Sequence, residues 1–446
     1  MFLQESSFVP RLVLENLSGT AKLESWLRFE GELASAQGEL GLIPEEAARV
    51  ISGSATLARV PLERVLDYAN EMGLATAGMV RALSEACGHP YGEYVHWGAT
   101  TTDVTETGLA LQLSPVLGYL LESTSELLRK LAELAHAHRR TLVVARTHTQ
   151  HALPITFGYK VSLWGREILW ARERLSESQG RFLVCKLTGA AGNHAAFGPK
   201  GQLVQERLSH RLGLRVADPS IQISRNRVIE LLTSLCILAN GLYHMAHDIR
   251  TGQRPEIGEV EEQYRVGIQR GSSTLPAKRN PFTAELICGY VNLIRRNVAA
   301  ELTLVSEDER DSVAATVESV TVSETLKWTA AALNAAHSLV EKLVVHPDRM
   351  RANLESTGTV MAEAIMMVLA RSIGRQKAYD LVYRAANEAR SSGRALREVI
   401  DEVIRGSLTG HAIEVPWDYR DYLGSVEDQI DSFIKHSIGS LRTRDG

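Results

Sequence analysis

Apolar residues recur every three or four positions over long stretches of the chain, with polar residues between them. Residues 111–138 carry one apolar stripe of this kind, and residues 227–250 carry a wider one. The same period runs through 159–176 and 284–305. A period near 3.6 residues is that of an α-helix, and alternating strand-like segments are nearly absent. The sequence therefore predicts an all-α protein with a central bundle of long helices.

Two breaks in this pattern predict domain boundaries. One is the segment YGEYVHWGATTTD, before the first long helix. The other is VVHPDRM, where Pro347 is incompatible with an uninterrupted helix interior. We therefore predict three helical domains, an N-terminal one at 1–110, a central long-helix bundle at 111–350 and a C-terminal one at 351–446.

Composition narrows the class of protein further. The formal net charge of −4 over 446 residues gives no electrostatic footprint for nucleic acid or an anionic membrane. The four cysteines form no CxxC pair, which argues against a disulfide framework or zinc site and favours a reducing cytoplasm. The N-terminus does not read as a signal peptide, and no run of about 18 apolar residues predicts a membrane span.

The first of three polar breaks is HWGATTTD at residues 96–103. Three consecutive hydroxyls directly before a helix suit a carboxylate, because unpaired N–H groups and the helix dipole both favour an anion there. The alternative is that Thr102 or Asp103 only caps the helix.

The second break is RTHTQHALP at residues 146–154. His148 is a candidate proton donor, because the pKa of a free histidine lies near neutrality. His148 and His151 also have the spacing of a metal pair, but no third ligand is evident. A structural histidine is the other alternative.

The third break is GSSTLPAKRNPF at residues 271–282. Ser272 or Ser273 is a candidate base, provided that its neighbours activate it. Lys278 and Asn280 supply a positive charge and an amide donor for an intermediate that gains negative charge. We expect the segment to be a moving lid, and a solvated turn is the alternative.

The three breaks together resemble the motifs of the fumarase/aspartase superfamily, over essentially the whole chain. GSSTLPAKRNP is similar to that family's GSSxMPxKxNP signature, with Leu275 in place of methionine. RTHTQHALPITFG and HWGATTTD resemble its other two motifs. The C-terminal SIGRQKAYDLVYRAA and DYLGSVEDQID are similar to the third domain of the adenylosuccinate lyase and carboxymuconate cycloisomerase branches.

This resemblance implies a role for each matching position. Ser272 is implied to remove a proton from the carbon beside a carboxylate, and His148 to act as the general acid or to hold it. The implied or candidate substrate-binding residues are His96, Thr100, Thr101, Thr147, Gln150, Arg225, Arg227, Ser273, Lys278, Asn280 and Arg310. The resemblance also implies a homotetramer whose active sites are each shared by three subunits, and no metal or organic cofactor.

The chain departs from the adenylosuccinate lyase pattern after the signature. Those enzymes carry a phosphate-binding stretch like ERDxSHSSxER, whereas residues 309–319 here read ERDSVAATVES. The histidine, the two serines after it and the final arginine are missing. Because a phosphate needs charge-assisted donors, a nucleotide substrate is disfavoured.

We therefore predict a lyase that performs anti β-elimination on a substituted succinate and gives fumarate or a fumarate-like product through an aci-carboxylate intermediate. Four alternatives stay open. They are lactonisation of a carboxymuconate, release of nitrite from a nitrosuccinate, adenylosuccinate cleavage, and a non-catalytic structural relative.

Overall fold

The computed structural model describes residues 8–218, 224–264, 274–305, 307–407 and 414–442, and these are predominantly α-helical. The prediction of an all-α protein is confirmed. The helices of the described ranges are α1 (Arg11–Asn16), α2 (Gly19–Glu39), α3 (Glu45–Ser54), α4 (Leu62–Met72), α5 (Ala75–Cys87), α6 (Thr101–Ala137), α7 (Phe157–Phe182), α8 (Gly201–Leu212), α9 (Asn226–Gly252), α10 (Phe282–Glu301), α11 (Val313–Glu341), α12 (Pro347–Ser356), α13 (Ala362–Ile373), α14 (Arg375–Ser392), α15 (Leu396–Ser407) and α16 (Val426–Arg442).

Short strands occur in three two-stranded ladders. The strands are β1 (Leu142–Thr147), β2 (Gln150–Thr156), β3 (Val184–Cys185), β4 (Arg215–Val216), β5 (Val260–Glu262) and β6 (Leu343–Val345). β1 pairs with β2 and β5 with β6 in antiparallel fashion, and β3 pairs with β4 in parallel.

The four long helices predicted from periodicity are all present. The stripe at 111–138 belongs to α6, which begins ten residues earlier, at Thr101. The earlier start is not visible as periodicity, because the first turns of α6 carry the polar motif rather than an apolar stripe. Helices α7, α9 and α10 cover the other three predicted stretches to within a few residues.

The chain forms two compact units. Unit 1 comprises Met1–Thr124, Trp170–Tyr243 and Leu286–Ala335, and unit 2 comprises Ser125–Leu169, His244–Glu285 and Ala336–Gly446. The core of unit 1 includes Trp26, Phe29, Leu83 and Phe197, which are at most 6% exposed. One core cluster of unit 2 lies mainly among α13, α14 and α15. The division into three domains stays a prediction.

Helix α9 is long and apolar enough to cross a membrane by length and composition alone. Of its most apolar window, 56% is buried inside the fold, as in the core helix of a soluble protein. It is therefore weak evidence for a span.

Candidate active site

Asp103 fixes the start of α6 in unit 1. Its carboxylate accepts hydrogen bonds from the backbone N–H of Thr100 at 3.1 Å and from those of Thr188 and Gly189 at 3.0 Å each. Burial raises the pKa of this carboxyl, because Asp103 is fully enclosed. A carboxylate at the third helical position that accepts the N–H of the residue before the helix is half of a capping box. Asp103 therefore caps the helix, while carboxylate binding by the neighbouring hydroxyls stays a prediction.

Thr100 and Thr101 lie where unit 1 has a large cavity. Arg310 donates to the Thr100 hydroxyl at 2.8 Å, and the Thr76 hydroxyl donates to Thr101 at 3.2 Å. Arg310 and Thr101 both line the cavity, whose volume is about 730 Å³. A volume of this order suits a small organic substrate. A guanidinium, hydroxyls and the beginning of a long helix thus meet at one end of the cavity, which is an arrangement that binds carboxylates.

Lys186 and Glu106 form a buried ion pair beside the same motif. The Lys186 ammonium donates to the Thr102 hydroxyl at 2.9 Å and lies 3.2 Å from the Glu106 carboxylate. Burial lowers the pKa of Lys186 although Glu106 and Asp103 act in the opposite direction. Sequence reasoning missed both residues. The sequence feature that indicates a buried, paired Lys186 is its position as the one charged residue in the apolar and small-residue segment VCKLTGAAG.

Arg225 and Arg227 belong to this ion cluster. Arg225 contacts both oxygens of Glu318, with Nε at 2.6 Å from Oε1, and also donates to Glu106 at 3.1 Å. Arg227 contacts the other oxygen of Glu106. Burial would raise the pKa of Glu106, but Arg227, Lys186 and Arg225 hold it at about 2. Substrate binding by the two arginines stays a prediction, and much of their donor capacity is already directed at carboxylates.

His96 forms a buried pair with Glu30 in unit 1. Its Nδ1 lies 2.6 Å from Glu30 Oε1, and its backbone φ of 60° is in the left-handed region. Burial alone lowers the pKa of His96, but the carboxylates of Glu30 and Asp103 outweigh it and raise the pKa overall. His96 is thus held in one orientation and favoured as a cation.

The second motif forms a tight β-hairpin in unit 2. Thr147 on β1 pairs with Gln150 on β2, and His148 and Thr149 form the two-residue turn. Their φ angles are 50° and 65°, values that cost a non-glycine residue on the order of 1 kcal/mol or more. All four residues are exposed. The sequence predicted a break before a helix and not a hairpin, because no glycine marks the turn.

An ion pair beside the turn fixes this hairpin. Arg146 donates to both oxygens of Glu259, at 3.0 and 2.6 Å, and Asn353 donates to the same carboxylate at 2.9 Å. Burial first, and then the Arg146 charge, lower the pKa of His151, which keeps that ring neutral. The hairpin therefore presents His148 from a rigid support.

The described end of the third motif precedes α10 in unit 2. The N–H groups of Thr283 and Ala284 donate to the Glu262 carboxylate at 3.1 and 2.8 Å, which fixes the start of the helix. Lys278 is exposed and Asn280 is half-buried just before this helix. The predicted base Ser272 and its neighbour Ser273 lie outside the described residues.

The structure divides the candidate residues between the two units. Unit 1 holds His96, Thr100, Thr101, Arg225, Arg227 and Arg310, and unit 2 holds Thr147, His148, Gln150, Lys278 and Asn280. Among the described residues, no group of three or more His, Cys, Asp or Glu side chains is placed to hold a metal ion.

Comparison with known proteins identifies the family. Residues 14–295 match the family model described as Lyase, and residues 358–433 match Adenylosuccinate lyase C-terminus. The adenylosuccinate lyase of Methanocaldococcus jannaschii is 38% identical over 93% of this chain and 91% of its own length. The N-acetyl-S-(2-succino)cysteine lyase of Dickeya dadantii is 31% identical over 94% of this chain and 93% of its own length. The crystal structure of the 3-carboxy-cis,cis-muconate lactonizing enzyme from Pseudomonas putida superposes with a TM-score of 0.87 at 29% identity, over 98% of this chain and 99% of that one. This chain belongs to the fumarase/aspartase superfamily of lyases.

Proposed function

We propose that this lyase cleaves a small, phosphate-free N- or S-substituted succinate by anti β-elimination and releases fumarate. Ser272 takes the proton from the carbon next to one carboxylate, and the electrons of that C–H bond form the new double bond. The C–N or C–S bond breaks, and its electron pair leaves with the nitrogen or sulfur, which takes up a proton. His148 positions or protonates that leaving group.

The observation that carries the proposal is the carboxylate-binding end of the cavity at the start of α6. Arg310 donates to the Thr100 hydroxyl there, and Arg310 and Thr101 line the same cavity. We assign Lys278 and Asn280 to the developing dianion. Preorganised donors at a developing oxyanion each contribute about 10²–10³ in rate. The strained, exposed turn at His148 further supports a role in chemistry, because such strain concentrates at functional sites.

A nucleotide substrate is disfavoured by the wall of the same cavity. Ala314, Ala315 and Ser319 line it, at positions where the adenylosuccinate lyase stretch has histidine, serine and arginine. None of these three side chains brings a charge to a phosphate, which is the ligand that most needs charged donors. The relatives named adenylosuccinate lyase therefore support the reaction type, and the cavity wall argues for a different leaving group.

Fumarate release from a panel of substrates tests this proposal. We expect turnover of S- and N-(2-succino) amino acids, and a kcat/KM for adenylosuccinate lower by at least about a hundredfold. Adenylosuccinate as the best substrate would overturn the exclusion of nucleotides. Ser391→Ala, an exposed serine on α14, is the matched control for Ser272→Ala and should keep full activity.

Lactonisation of a carboxymuconate is a second candidate, which the superposition with the Pseudomonas putida enzyme favours. It uses the same carbanion chemistry but expels no fragment. Product analysis by NMR distinguishes the two reactions, because only elimination yields free fumarate. A lactone as the sole product would establish this second candidate instead.

We further propose a cytoplasmic homotetramer in which three subunits contribute to each active site. Lyases of this superfamily are generally homotetrameric. All four cysteines are free thiols, which suits a reducing compartment. Mixing two inactive variants, Ser272→Ala and Thr101→Val, should restore part of the activity, because some sites then combine intact motifs. Mixed tetramers without any activity would contradict shared sites.

A further inference from the structure

The cavity in unit 1 is much longer than a succinyl group. Thr101, Thr105, Leu109 and Gln112 line it from one face of α6, at the spacing of successive helical turns. From Thr101 to Gln112 this face extends about 16 Å, at about 1.5 Å per residue. The two carboxyl carbons of a succinyl group lie at most about 4 Å apart, because three bonds of about 1.5 Å join them. Most of the cavity is therefore left for the leaving group.

Helix α2 passes the part of this cavity that lies away from Thr101, and it runs antiparallel to α6. Near the beginning of α6, Glu30 contacts His96. One turn earlier in α2, Trp26 packs directly on Gly108, where an added Cβ would lie 2.5 Å from the indole Cδ1.

Lys22 lies one further turn back in α2, still on the cavity wall. Beyond it, the carbonyl of Asn16 accepts a hydrogen bond from Gln112 at 2.7 Å. The order of these contacts places Lys22 between the level of Gly108 and that of Gln112. It therefore lies at the end of the cavity away from Thr101.

The charged side chains deep in the cavity wall are already paired with one another. Arg225 binds both oxygens of Glu318 and one of Glu106, and all three side chains are at most 10% exposed. An incoming anion would have to break these contacts to use Arg225, and breaking a buried ion pair is strongly unfavourable.

Two cations of the wall remain available to a ligand. Arg310 donates to the Thr100 hydroxyl, and Lys22 has its ammonium 5.3 Å from the centre of the Trp26 ring. No carboxylate of a described residue forms an ion pair with either of them. The remaining acid of the wall, Asp311, already accepts backbone hydrogen bonds.

We propose that Lys22 and Trp26 form a second anion-binding subsite, which selects leaving groups that carry their own carboxylate. This inference rests on the proposed elimination. The succinyl part is held at the Arg310 end, and the leaving group extends along α6 with its carboxylate on the Lys22 ammonium. The cation–π contact keeps that ammonium over the indole, which reduces the entropy lost on binding. Partial desolvation lowers the pKa of Lys22 in the free protein, an effect that a bound carboxylate opposes.

Two matched substrates test the subsite. S-(2-succino)-3-mercaptopropionate carries a carboxylate on the leaving group, and its primary amide has almost the same shape without the charge. We expect the wild-type enzyme to favour the acid by about 10- to 100-fold in kcat/KM, the range of a charge-assisted hydrogen bond. Lys22→Met should abolish this preference by raising the KM for the acid, with kcat and the kinetics of the amide nearly unchanged.

Two further variants control the experiment. Lys435→Met removes an exposed lysine of α16 in unit 2 and should keep the wild-type preference. Lys22→Glu should invert this preference, so that a substrate with an amine on its leaving group is favoured over the acid. This inversion is a gain that a misfolded protein cannot give.

The outcomes separate the subsite from the reaction. If the wild type releases fumarate from both substrates at equal efficiency, the proposed subsite is refuted and the proposed elimination is supported. If Lys22→Met lowers kcat for acid and amide alike, Lys22 does not act on the leaving group. If the wild type releases fumarate from no succinyl thioether or amine, the proposed function fails and the subsite fails with it.

Discussion

Replacing Glu106 with glutamine tests the buried ion cluster beside the first motif. The glutamate contacts Lys186, Arg225 and Arg227, so Glu106→Gln keeps the shape but removes the one carboxylate that all three buried cations share. The pKa of Glu106 falls from 4.5 to about 2 on folding. At about 1.36 kcal/mol per pH unit, this difference corresponds to a loss of about 3 kcal/mol of stability at pH 7. Breaking a buried ion pair by removing one partner costs a similar amount.

The sign of the pH dependence follows from the lowered pKa. The pKa of the Glu106 carboxyl is 4.5 in the unfolded chain and about 2 in the folded protein. Its ionised form therefore stabilises the fold fully above pH 4.5, and this stabilisation is lost as the pH falls through about 2. The stability difference between the wild type and Glu106→Gln should therefore be constant from pH 7 to about pH 5. At pH 3.5 it should have decreased to about 2 kcal/mol.

Urea unfolding followed by circular dichroism measures this difference. Protein concentration must be equal for both variants, because subunit association contributes to the apparent stability. Glu133→Gln is the control, since Glu133 pairs with Arg129 on an exposed helix face and should have no measurable effect. A Glu106→Gln protein within about 0.5 kcal/mol of the wild type at pH 7 would refute the reasoning. So would a difference that does not shrink with acid.

Three further predictions concern other parts of the molecule. Ser272→Ala should lower kcat by about 10²–10⁴ with an unchanged circular dichroism spectrum and native mass, and near-normal turnover would remove the proposed base. Gly108→Ala should destabilise the protein by about 1–3 kcal/mol in urea and alter tryptophan fluorescence, because the new methyl group overlaps Trp26; an unchanged spectrum would contradict this contact. Glu30→Gln should lower the pKa of His96 in an NMR titration, because burial then dominates, and an unchanged pKa would show that Glu30 is not the cause. In the wild type, this pair stabilises the fold fully below pH 6.5 and loses its effect as the pH rises through the raised folded pKa.

The helical core was predictable because its signal is periodic over many residues. A stretch such as 227–250 repeats its apolar positions over several turns, so local exceptions do not obscure the pattern. The hairpin at 147–150 was not predictable in the same way. Its turn uses His148 and Thr149 in left-handed conformations that glycine or asparagine normally adopt, and the flanking strands are short.

Without the family resemblance, the candidate site was predictable only where its residues are neighbours in sequence. Thr100, Thr101 and Asp103 lie in one motif and were found together. Lys186 reaches Thr102 and Glu106 from a different segment, so only the folded structure brings them into contact. The only sequence sign of such a long-range contact is a charged residue within an apolar segment. This sign indicates that the residue is paired, but it does not identify the partner.

The stretch at 309–319 divides into residues that hold the fold and residues that face the ligand. Glu318 is retained relative to the adenylosuccinate lyase pattern, and its two oxygens anchor Arg225 in the buried cluster. Ala314 and Ala315 lie on the cavity wall one turn before it, and Ser319 follows it there. Had the whole stretch drifted without constraint, the anchoring glutamate would have no reason to remain beside positions that lost their donors. Its presence supports the proposal that this helix keeps its position while the surface it offers to a leaving group is small and uncharged rather than suited to phosphate.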